Sequence, residues 1–435
     1  MLHTLKNSLL LLWKSPTAKK KSKLFFALFY AAFVTLCTYL FLFFPAAIDF
    51  ENYLYDGYQK ERAIDSKSDI AYSRYTEVLD RLVFINLDVS FIDHETDRIY
   101  PDSLLHLLQQ LQPFTTQTSA LFLDYQFTHQ NLRDTATWQA TQQLLVDYIV
   151  PYSIGLVEPL TFSRKGCQLL SDGINITYSP HFMAVADSGY VFTFVDGDGM
   201  FRYFKPATDD GMLFSAPWQI VRKLLSSDKI VLMQKRWDGQ LMHINYLLRN
   251  NEIEGKERAV PIYDASFIAS GMINKDELQE LLKGKIVMIG LAGGYKTKYN
   301  QEIDKFDTPI HNELSGLLVL TNIVLNLYYN CSLKYAGWII VFWLNLLIGL
   351  LIGVNDIFES KKTDNNWYNL FKLLFKLLVS YIGFSIISNW YFSVFALKIS
   401  LGMSFVLFQS ENWVKLLYNA IFDFRLKTFC LKSFV

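Results

Sequence analysis

The sequence predicts an α/β domain, with a mostly parallel sheet and flanking helices, combined with four transmembrane helices. Short apolar runs alternate with helical patterns across residues 45–335, which favours a parallel sheet covered by helices on its faces. One long apolar segment precedes this region, at residues 24–44, and three follow it, at residues 336–354, 373–390 and 391–409. Each segment comes close to the roughly 20 apolar residues that cross a bilayer core of about 30 Å.

Lysine and arginine predict how these segments are oriented. Basic side chains occur in residues 1–23, in the loop 355–372 and in the tail 410–435. Because cytoplasmic loops carry an excess of Lys and Arg, these three stretches are expected in the cytoplasm. Four crossings of the lipid bilayer then place the 45–335 domain outside, held by anchors at both of its ends.

Three features of the membrane and cysteine patterns leave alternatives open. Residues 24–44 could be a cleaved signal peptide, but signal cores usually have 7–15 apolar residues, so an uncleaved anchor is favoured. Lys398 lies inside the last segment, where its amine either reaches the outer surface or makes a buried polar contact. Cys167 and Cys331 could share the outer compartment, although one pair is no disulfide framework.

Apolar runs and turn signals predict the elements of the 45–335 domain. The runs expected to form strands are residues 82–87, 120–123, 149–156, 190–195, 230–233 and 285–289. The stretches expected to form helices are residues 101–111, 135–146, 217–225, 275–282 and 314–327. Pro101 opens the first of these helices, since proline suits the first helical position. A loop is expected after the last strand, from residue 290 to residue 308.

Composition excludes several classes of function. The chain has 41 Lys and Arg against 41 Asp and Glu, and this zero net charge gives no support to nucleic-acid binding. No Cys or His cluster has metal-ligand spacing, and no Gly-x-Ser-x-Gly elbow occurs. We therefore expect no metal, no cofactor and no enzymatic activity.

Two carboxylates follow predicted strands. Asp88 comes directly after residues 82–87, and Asp124 directly after residues 120–123. Ligands of open α/β sheets bind outside the carboxyl ends of the strands, so these acids would face one crevice if the two strands were neighbours. The competing interpretation is helix capping or hydrogen bonding within a loop.

Two glycine-containing loops resemble binding loops without matching them. The Asp196-Gly197-Asp198-Gly199 run before Arg202 suggests a calcium loop, but the twelfth position is Ala207 rather than Glu. A tight turn between two strands is favoured, because Asp-Gly supplies positive φ at low cost. The loop that starts at Gly290 lacks both GxGxxG and a Gly-Lys-Ser/Thr ending, so small residues there are expected to turn the backbone off the sheet.

Seven short elements, none of them specific alone, follow one another in a recognisable order. They are residues 87–90 (LDVS), Tyr100-Pro101, and residues 123–127 (LDYQF), 198–202 (DGMFR), 284–290 (GKIVMIG), 304–309 (DKFDTP) and 316–322 (GLLVLTN). In this order they resemble the second type of CHASE domain, an extracytoplasmic sensor domain of bacterial cyclases and histidine kinases. The resemblance covers residues 50–330, and the family's flanking layout has one membrane helix before and three after. The chain departs from it at Tyr100, where Trp is usual, at Thr321, where Ala is usual, and in a longer loop after Gly290.

The resemblance implies a sensory module in the periplasm, anchored in the bacterial inner membrane. The positions expected to bind an unidentified periplasmic ligand are Asp88, Ser90, Asp124, Gly290, Asp307 and Thr308. Asp198, Gly199 and Arg202 match the family's turn and are expected to be structural. A homodimer is compatible with this reading.

The tail bears on how a signal would leave the domain. Family members typically continue into a cyclase or kinase domain, whereas residues 410–435 are too few for one, so the resemblance implies a sensor without an output domain. Apolar residues of this tail lie on one helical stripe, which either rests on the inner leaflet or docks a protein. The sequence thus predicts a sensor or receptor subunit that acts through a separate signalling protein. The alternative is a structural subunit of a membrane complex that senses nothing.

Overall fold

The computed structural model describes part of the chain. The described residues are 28–37, 39–40, 45–87, 90–93, 98–124, 136, 140, 143, 153–159, 162–163, 168–169, 174–175, 187–191, 193–195, 198–209, 211, 213–237, 241–250, 255–292, 295–296, 302–303, 305–335, 337–355, 386, 389 and 397–398. They belong to two compact units, one formed by residues 59–333 and the other by residues 1–58 together with 334–435.

The described residues form short strands and helices throughout the chain. The strands are β1 (Leu82–Asn86), β2 (Ile92–Asp93), β3 (Arg98–Ile99), β4 (Ala120–Leu123), β5 (Ser153–Pro159), β6 (Phe162–Ser163), β7 (Gln168–Leu169), β8 (Ile174–Asn175), β9 (Asp187–Tyr190), β10 (Thr193–Val195), β11 (Phe201–Phe204), β12 (Met242–His243), β13 (Ile262–Asp264), β14 (Ile286–Gly290), β15 (Tyr295–Lys296), β16 (Glu302–Ile303), β17 (Lys305–Asp307), β18 (Asn312–Ser315), β19 (Lys334–Tyr335) and β20 (Leu397–Lys398). The α-helices are α1 (Pro45–Arg62), α2 (Thr76–Leu79), α3 (Pro101–Leu111), α4 (Ala216–Leu224), α5 (Ser227–Trp237), α6 (Ala265–Ala269), α7 (Lys275–Leu282), α8 (Gly316–Tyr329) and α9 (Trp338–Asn355).

The 59–333 unit is built on a mostly parallel sheet. Its strands run in the order β13-β1-β14-β4-β5-β9, and each neighbouring pair in this order is parallel. Strand β8 pairs antiparallel with the end of β5. The predicted parallel sheet with flanking helices is therefore confirmed. Strand β14 comes late in the sequence and lies between β1 and β4, so these two strands are not neighbours.

The three central strands form the middle of the core. Strands β4 and β14 are buried along their whole length, and β1 is buried except at Asn86. The register aligns Val83 with Val287, and Val287 with Leu121, across the three strands. Continuous apolar runs of this kind fit a parallel sheet that is covered on both faces.

Local capping signals define several helices where the sequence placed them. Helix α3 has the predicted bounds and begins at Pro101. Helix α7 also has the predicted bounds, and Asn274 forms a capping box with Glu277 before it. Helix α4 starts after Ser215, whose hydroxyl accepts from the N–H of Trp218 at 3.3 Å.

Four predicted elements differ from the structure. Residues 230–233 are not a strand but lie within α5, because a run of four apolar residues fits either state and polar helix-forming residues surround it. Residues 190–195 do not form one strand, since β9 and β10 belong to different sheets. The strand predicted at 149–156 is β5, which continues to Pro159, while residues 149–152 lie outside the described residues. Loop 290–308 contains β15, β16 and β17. Residues 136, 140 and 143 are helical, while the rest of the helix predicted at 135–146 lies outside the described residues.

The second unit contributes described residues from both ends of the chain. Residues 28–37 are helical, and the side-chain amide of Asn345 in α9 donates to Thr35 Oγ1 at 3.1 Å. Strand β20, which includes Lys398, pairs parallel with β19. Among the residues that the structure describes, no helix combines the length and the apolar character of a membrane crossing.

Candidate functional site

Asp124 and the end of β1 lie on opposite sides of Gly290. The Asp124 N–H donates to the carbonyl oxygen of Ile289 at 2.8 Å, and the Leu87 N–H donates to that of Gly290 at 2.9 Å. The condition that β1 and β4 be neighbours is therefore not met, although both strands end beside β14. Asp88, one residue beyond Leu87, lies outside the described residues. We call the edge formed by the ends of β13, β1, β14 and β4 the carboxyl edge.

Gly290 is packed too closely to carry a side chain. A Cβ at this position would lie 2.8 Å from the Cβ of Asp124 and 3.3 Å from both Cδ atoms of Leu317. The start of helix α8 and the Asp124 side chain thus meet directly over the last residue of β14. A glycine at the end of a strand permits this approach.

Burial raises the pKa of Asp124 to about 7. A carboxyl group loses hydration when it is enclosed, and the charged form loses more than the neutral one. Near neutral pH the group exchanges between a protonated state, which can donate a hydrogen bond, and a charged acceptor. A titratable group with such a shift at the carboxyl edge of an α/β sheet is a candidate for ligand binding.

Asn86 and Asp264 belong to the carboxyl edge on the other side of Gly290. The Asn86 amide donates to Asp264 Oδ1 at 2.9 Å, and its oxygen accepts from the N–H of Ala292 at 3.0 Å. Sequence reasoning missed both residues, although each is the last residue of a strand of the main sheet. Their bonds fix the start of the loop that follows β14.

Three other predicted ligand residues have no described contact with Asp124 or Gly290. Ser90 is exposed, and its carbonyl oxygen accepts from Ser103 Oγ at 3.2 Å. Asp307 is paired with Asn312 in the β17–β18 hairpin. Thr308 is fully buried in the turn of that hairpin, where its hydroxyl donates to the carbonyl oxygen of His311 at 2.8 Å. The Thr308 hydroxyl therefore supports the turn.

The Asp-Gly element lies at a turn between antiparallel strands β10 and β11. Gly199 has φ of 87°, and Asp198 Oδ1 accepts from the Met200 N–H at 3.1 Å and from Arg202 Nη1 at 2.7 Å. Arg202 is 1% exposed, and its bond lowers the pKa of Asp198. Residues 198–202 match the expected tight turn, while Asp196 and Gly197 lie outside the described residues. Within the described residues, no group of three His, Cys, Asp or Glu side chains could hold a metal ion.

A buried amide junction lies at the other end of helix α8. Asn326 accepts from the N–H of Asn245 at 2.7 Å and donates to its carbonyl oxygen at 2.7 Å. Asn322 accepts from the N–H groups of Leu247 and Leu248 at 2.7 and 2.8 Å and donates to the Leu248 carbonyl oxygen at 2.8 Å. The two asparagines, one helical turn apart, replace the strand that would otherwise satisfy this buried backbone.

The same segment joins the two ends of the 59–333 unit. Gln59, at the end of α1, accepts from the Tyr246 N–H at 2.8 Å. The Asn245 side chain accepts from Arg62 and donates to the carbonyl oxygen of Cys331 at 2.8 Å. We call residues 244–248 with Gln59, Arg62, Asn322, Asn326 and Cys331 the amide junction. The sequence offered one signal for it, the two asparagines spaced by four on a buried helix.

Cys331 is a free thiol in this junction. Burial raises its pKa to about 12, with the nearby Arg62 acting in the opposite direction. Cys167, its suggested partner, lies outside the described residues. The thiol is thus held in its unreactive, protonated form.

Comparison with known families shows which family the chain is similar to. The model of the CHASE2 domain matches residues 31–355, which extends beyond the 50–330 region on which the resemblance rested. No curated protein and no solved structure matches the chain.

Proposed function

The chain belongs to the CHASE2 domain family, and from this membership we propose that it is a membrane-anchored sensor or receptor subunit. CHASE2 domains are extracellular sensory domains, so a sensory role agrees with the family. In the proposed mechanism a ligand binds at the carboxyl edge on the periplasmic side. The chain then passes the signal to a separate membrane or cytoplasmic protein.

The contacts of helix α8 carry the proposal, because they link the candidate site to both ends of the 59–333 unit. Leu317, near its start, packs over Gly290 beside Asp124. Asn326, near its end, bonds to the backbone of Asn245, whose side chain bonds to Arg62 and Cys331. If helix α8 has two positions and a ligand binds them with different affinity, the ligand shifts the equilibrium between them. The contacts of α8 in the amide junction would then change as well.

Anchoring in the inner membrane is part of the same proposal. It is supported by the apolar character of residues 24–44, 336–354, 373–390 and 391–409 and by the basic residues around them. The family match includes most of the first segment and all of the second. Reporter fusions within the 193–204 hairpin test this orientation. A reporter that works only outside the cytoplasm should be active there. Activity of a reporter that works only inside the cytoplasm would overturn the proposal.

Sensing is tested with the purified full chain and a panel of small metabolites. A compound that raises the unfolding temperature of the wild type, but not of Asp124→Ala, supports a ligand site at the carboxyl edge. Glu280→Ala is the matched control, because Glu280 is an exposed acid on helix α7. If no compound distinguishes these variants and the chain purifies in fixed stoichiometry with other membrane proteins, the structural-subunit alternative replaces the sensor.

Binding can then be linked to signalling. Spin labels at the exposed residues Lys60 and Lys334 mark the places where the chain enters and leaves the 59–333 unit. We expect a compound from the panel to change the distance between the labels, and Asn326→Leu to weaken that change. An unchanged distance with saturating compound would contradict transmission through helix α8.

A further inference from the structure

Helix α8 begins without a cap. Ser315 occupies the N-cap position, but its hydroxyl accepts no hydrogen bond from the helix. Among the described residues, neither this hydroxyl nor the N–H groups of Leu317 and Leu318 have a partner. Ser315 is 4% exposed, and Leu317 and Leu318 are buried as well. A helix terminus enclosed in this way retains unsatisfied donors, which is costly unless something binds to them.

Helix α4 shows the usual solution in the same chain. Its N-cap residue, Ser215, is 3% exposed, and its hydroxyl accepts from the N–H of Trp218. The two serines therefore have the same position and the same burial, but only Ser215 caps its helix. Ser315 thus leaves the start of α8 uncapped, although a serine of the same burial caps α4.

The open terminus lies beside the carboxyl edge. Both Cδ atoms of Leu317 lie 3.3 Å from the point where a Gly290 Cβ would be, and the Cβ of Asp124 lies 2.8 Å from that point. The first turn of a helix carries a partial positive charge and free N–H groups, which together favour an anion. Asp124 and the start of α8 thus lie side by side over Gly290.

We propose that the open terminus of helix α8 binds the carboxylate group of a small ligand, held by the N–H groups of Leu317 and Leu318 and by the Ser315 hydroxyl. The proposal rests on the proposed function, because it names the ligand class of the same site. Leu317 and Leu318 are at the second and third helical positions, where an N-cap side chain normally accepts. The ligand carboxylate replaces that missing cap.

Asp124 favours a carboxylate over a phosphate. Burial raises its pKa, and among the described residues no basic side chain acts to lower it. A phosphate dianion would meet this carboxyl group, and the described residues supply no cation beside it. A carboxylate carries one charge, and protonated Asp124 can donate a hydrogen bond to it.

The experiment measures thermal unfolding of the detergent-solubilised full chain with acetate, succinate or inorganic phosphate, each against chloride at equal ionic strength. We expect acetate or succinate to raise the unfolding temperature of the wild type saturably. Phosphate should behave as chloride does. An increase that follows ionic strength alone, or a larger increase with phosphate, would overturn the proposal.

Two variants separate a bound carboxylate from a general stabilising effect. Ser315→Asp supplies a carboxylate of the chain itself, so it should raise the unfolding temperature without ligand and weaken acetate or succinate binding at least tenfold. Ser315→Ala, which should fold normally, weakens binding severalfold. The matched control is Ser215→Asp, which should bind as the wild type does. Wild-type binding by both Ser315 variants would disprove the assignment.

Failure here can be told apart from failure of the sensor proposal. If an uncharged metabolite binds and Asp124→Ala abolishes its binding, while neither Ser315 variant changes it, only the carboxylate assignment falls. If neither carboxylate binds and no metabolite distinguishes Asp124→Ala from the wild type, both proposals fall.

Discussion

The side-chain amide of Asn326 pairs with the backbone of Asn245 as a strand residue would, donating to its carbonyl oxygen and accepting from its N–H, each at 2.7 Å. Both residues are buried, at 0% and 1% exposure. The segment around Asn245 passes through the core with little regular structure of its own, so its polar backbone groups depend on side chains. The junction therefore satisfies backbone groups that are buried with this segment.

Replacing Asn326 tests the strength of this junction. Asn326→Leu has a similar size but leaves a buried donor and a buried acceptor unpaired, so we expect a loss of about 2–5 kcal/mol in the free energy of unfolding. Denaturant titration of the solubilised chain measures it. Gln279→Leu makes a comparable change at an exposed position of α7 and should change stability by less than about 0.5 kcal/mol. Equal effects of the two variants would show that the junction contributes little.

Gly290→Ala tests the close approach at the carboxyl edge. The new Cβ would overlap the Cβ of Asp124 at 2.8 Å, so we expect a loss of about 1–3 kcal/mol in stability. Gly57→Ala is the contrasting variant: Gly57 is exposed in helix α1, and a Cβ there meets nothing within 4 Å. It should stabilise the chain by about 0.5–1 kcal/mol. Two changes of the same sign would argue against this packing.

The raised pKa of Asp124, about 7, predicts a specific dependence of stability on pH. Between pH of about 4, where an unfolded Asp ionises, and pH 7, the folded state holds a proton that the unfolded state has released. The free energy of unfolding should therefore fall as pH rises through this window and level off above it.

Asp124→Asn keeps the group neutral at every pH. The variant should be more stable than the wild type at pH 8, and the difference should shrink towards pH 4. Thermal unfolding measured from pH 4 to pH 8 follows this directly, with Glu280→Gln as an exposed control on α7. A variant that is less stable than the wild type at pH 8 would show that the fold favours the charged form of Asp124, which contradicts a raised pKa.

The two N-cap serines give a paired prediction without ligand. Ser215→Ala removes a capping acceptor and should cost about 1 kcal/mol. Ser315→Ala removes a buried hydroxyl that has no partner, so it should be neutral or slightly stabilising. Thermal unfolding of the two variants in ligand-free buffer compares them. An equal loss in both would mean that Ser315 caps its helix after all.

Local signals in the sequence predicted the helices that begin with a clear start residue. Pro101, Ser215 and Asn274 each mark a helix start through the atoms of the first turn, which are neighbours in sequence. The strand predicted at residues 230–233 was wrong for the opposite reason. Four apolar residues show no periodicity, and with the flanking polar residues they form a helix.

The structure brings together only some of the residues predicted to bind a ligand, for a reason of topology. Asp124 and Gly290 lie together as expected, yet the link runs through β14, which enters the sheet between β1 and β4. Asn86 and Asp264 were missed because their contact joins residues 178 positions apart. The spacing of two residues in the sequence does not show that folding brings them into contact.

The sequence by itself determined the α/β class, the buried parallel strands and the family, since these follow from local apolar patterns and short motifs. Only the tertiary structure decided which strand ends meet, that helix α8 opens uncapped beside Asp124, and that Asn322 and Asn326 replace a missing strand. The physical reason is that hydrogen-bond satisfaction and burial depend on partners brought close by folding. A serine at an N-cap or an asparagine in a helix has the same local chemistry whether its partner is present or absent.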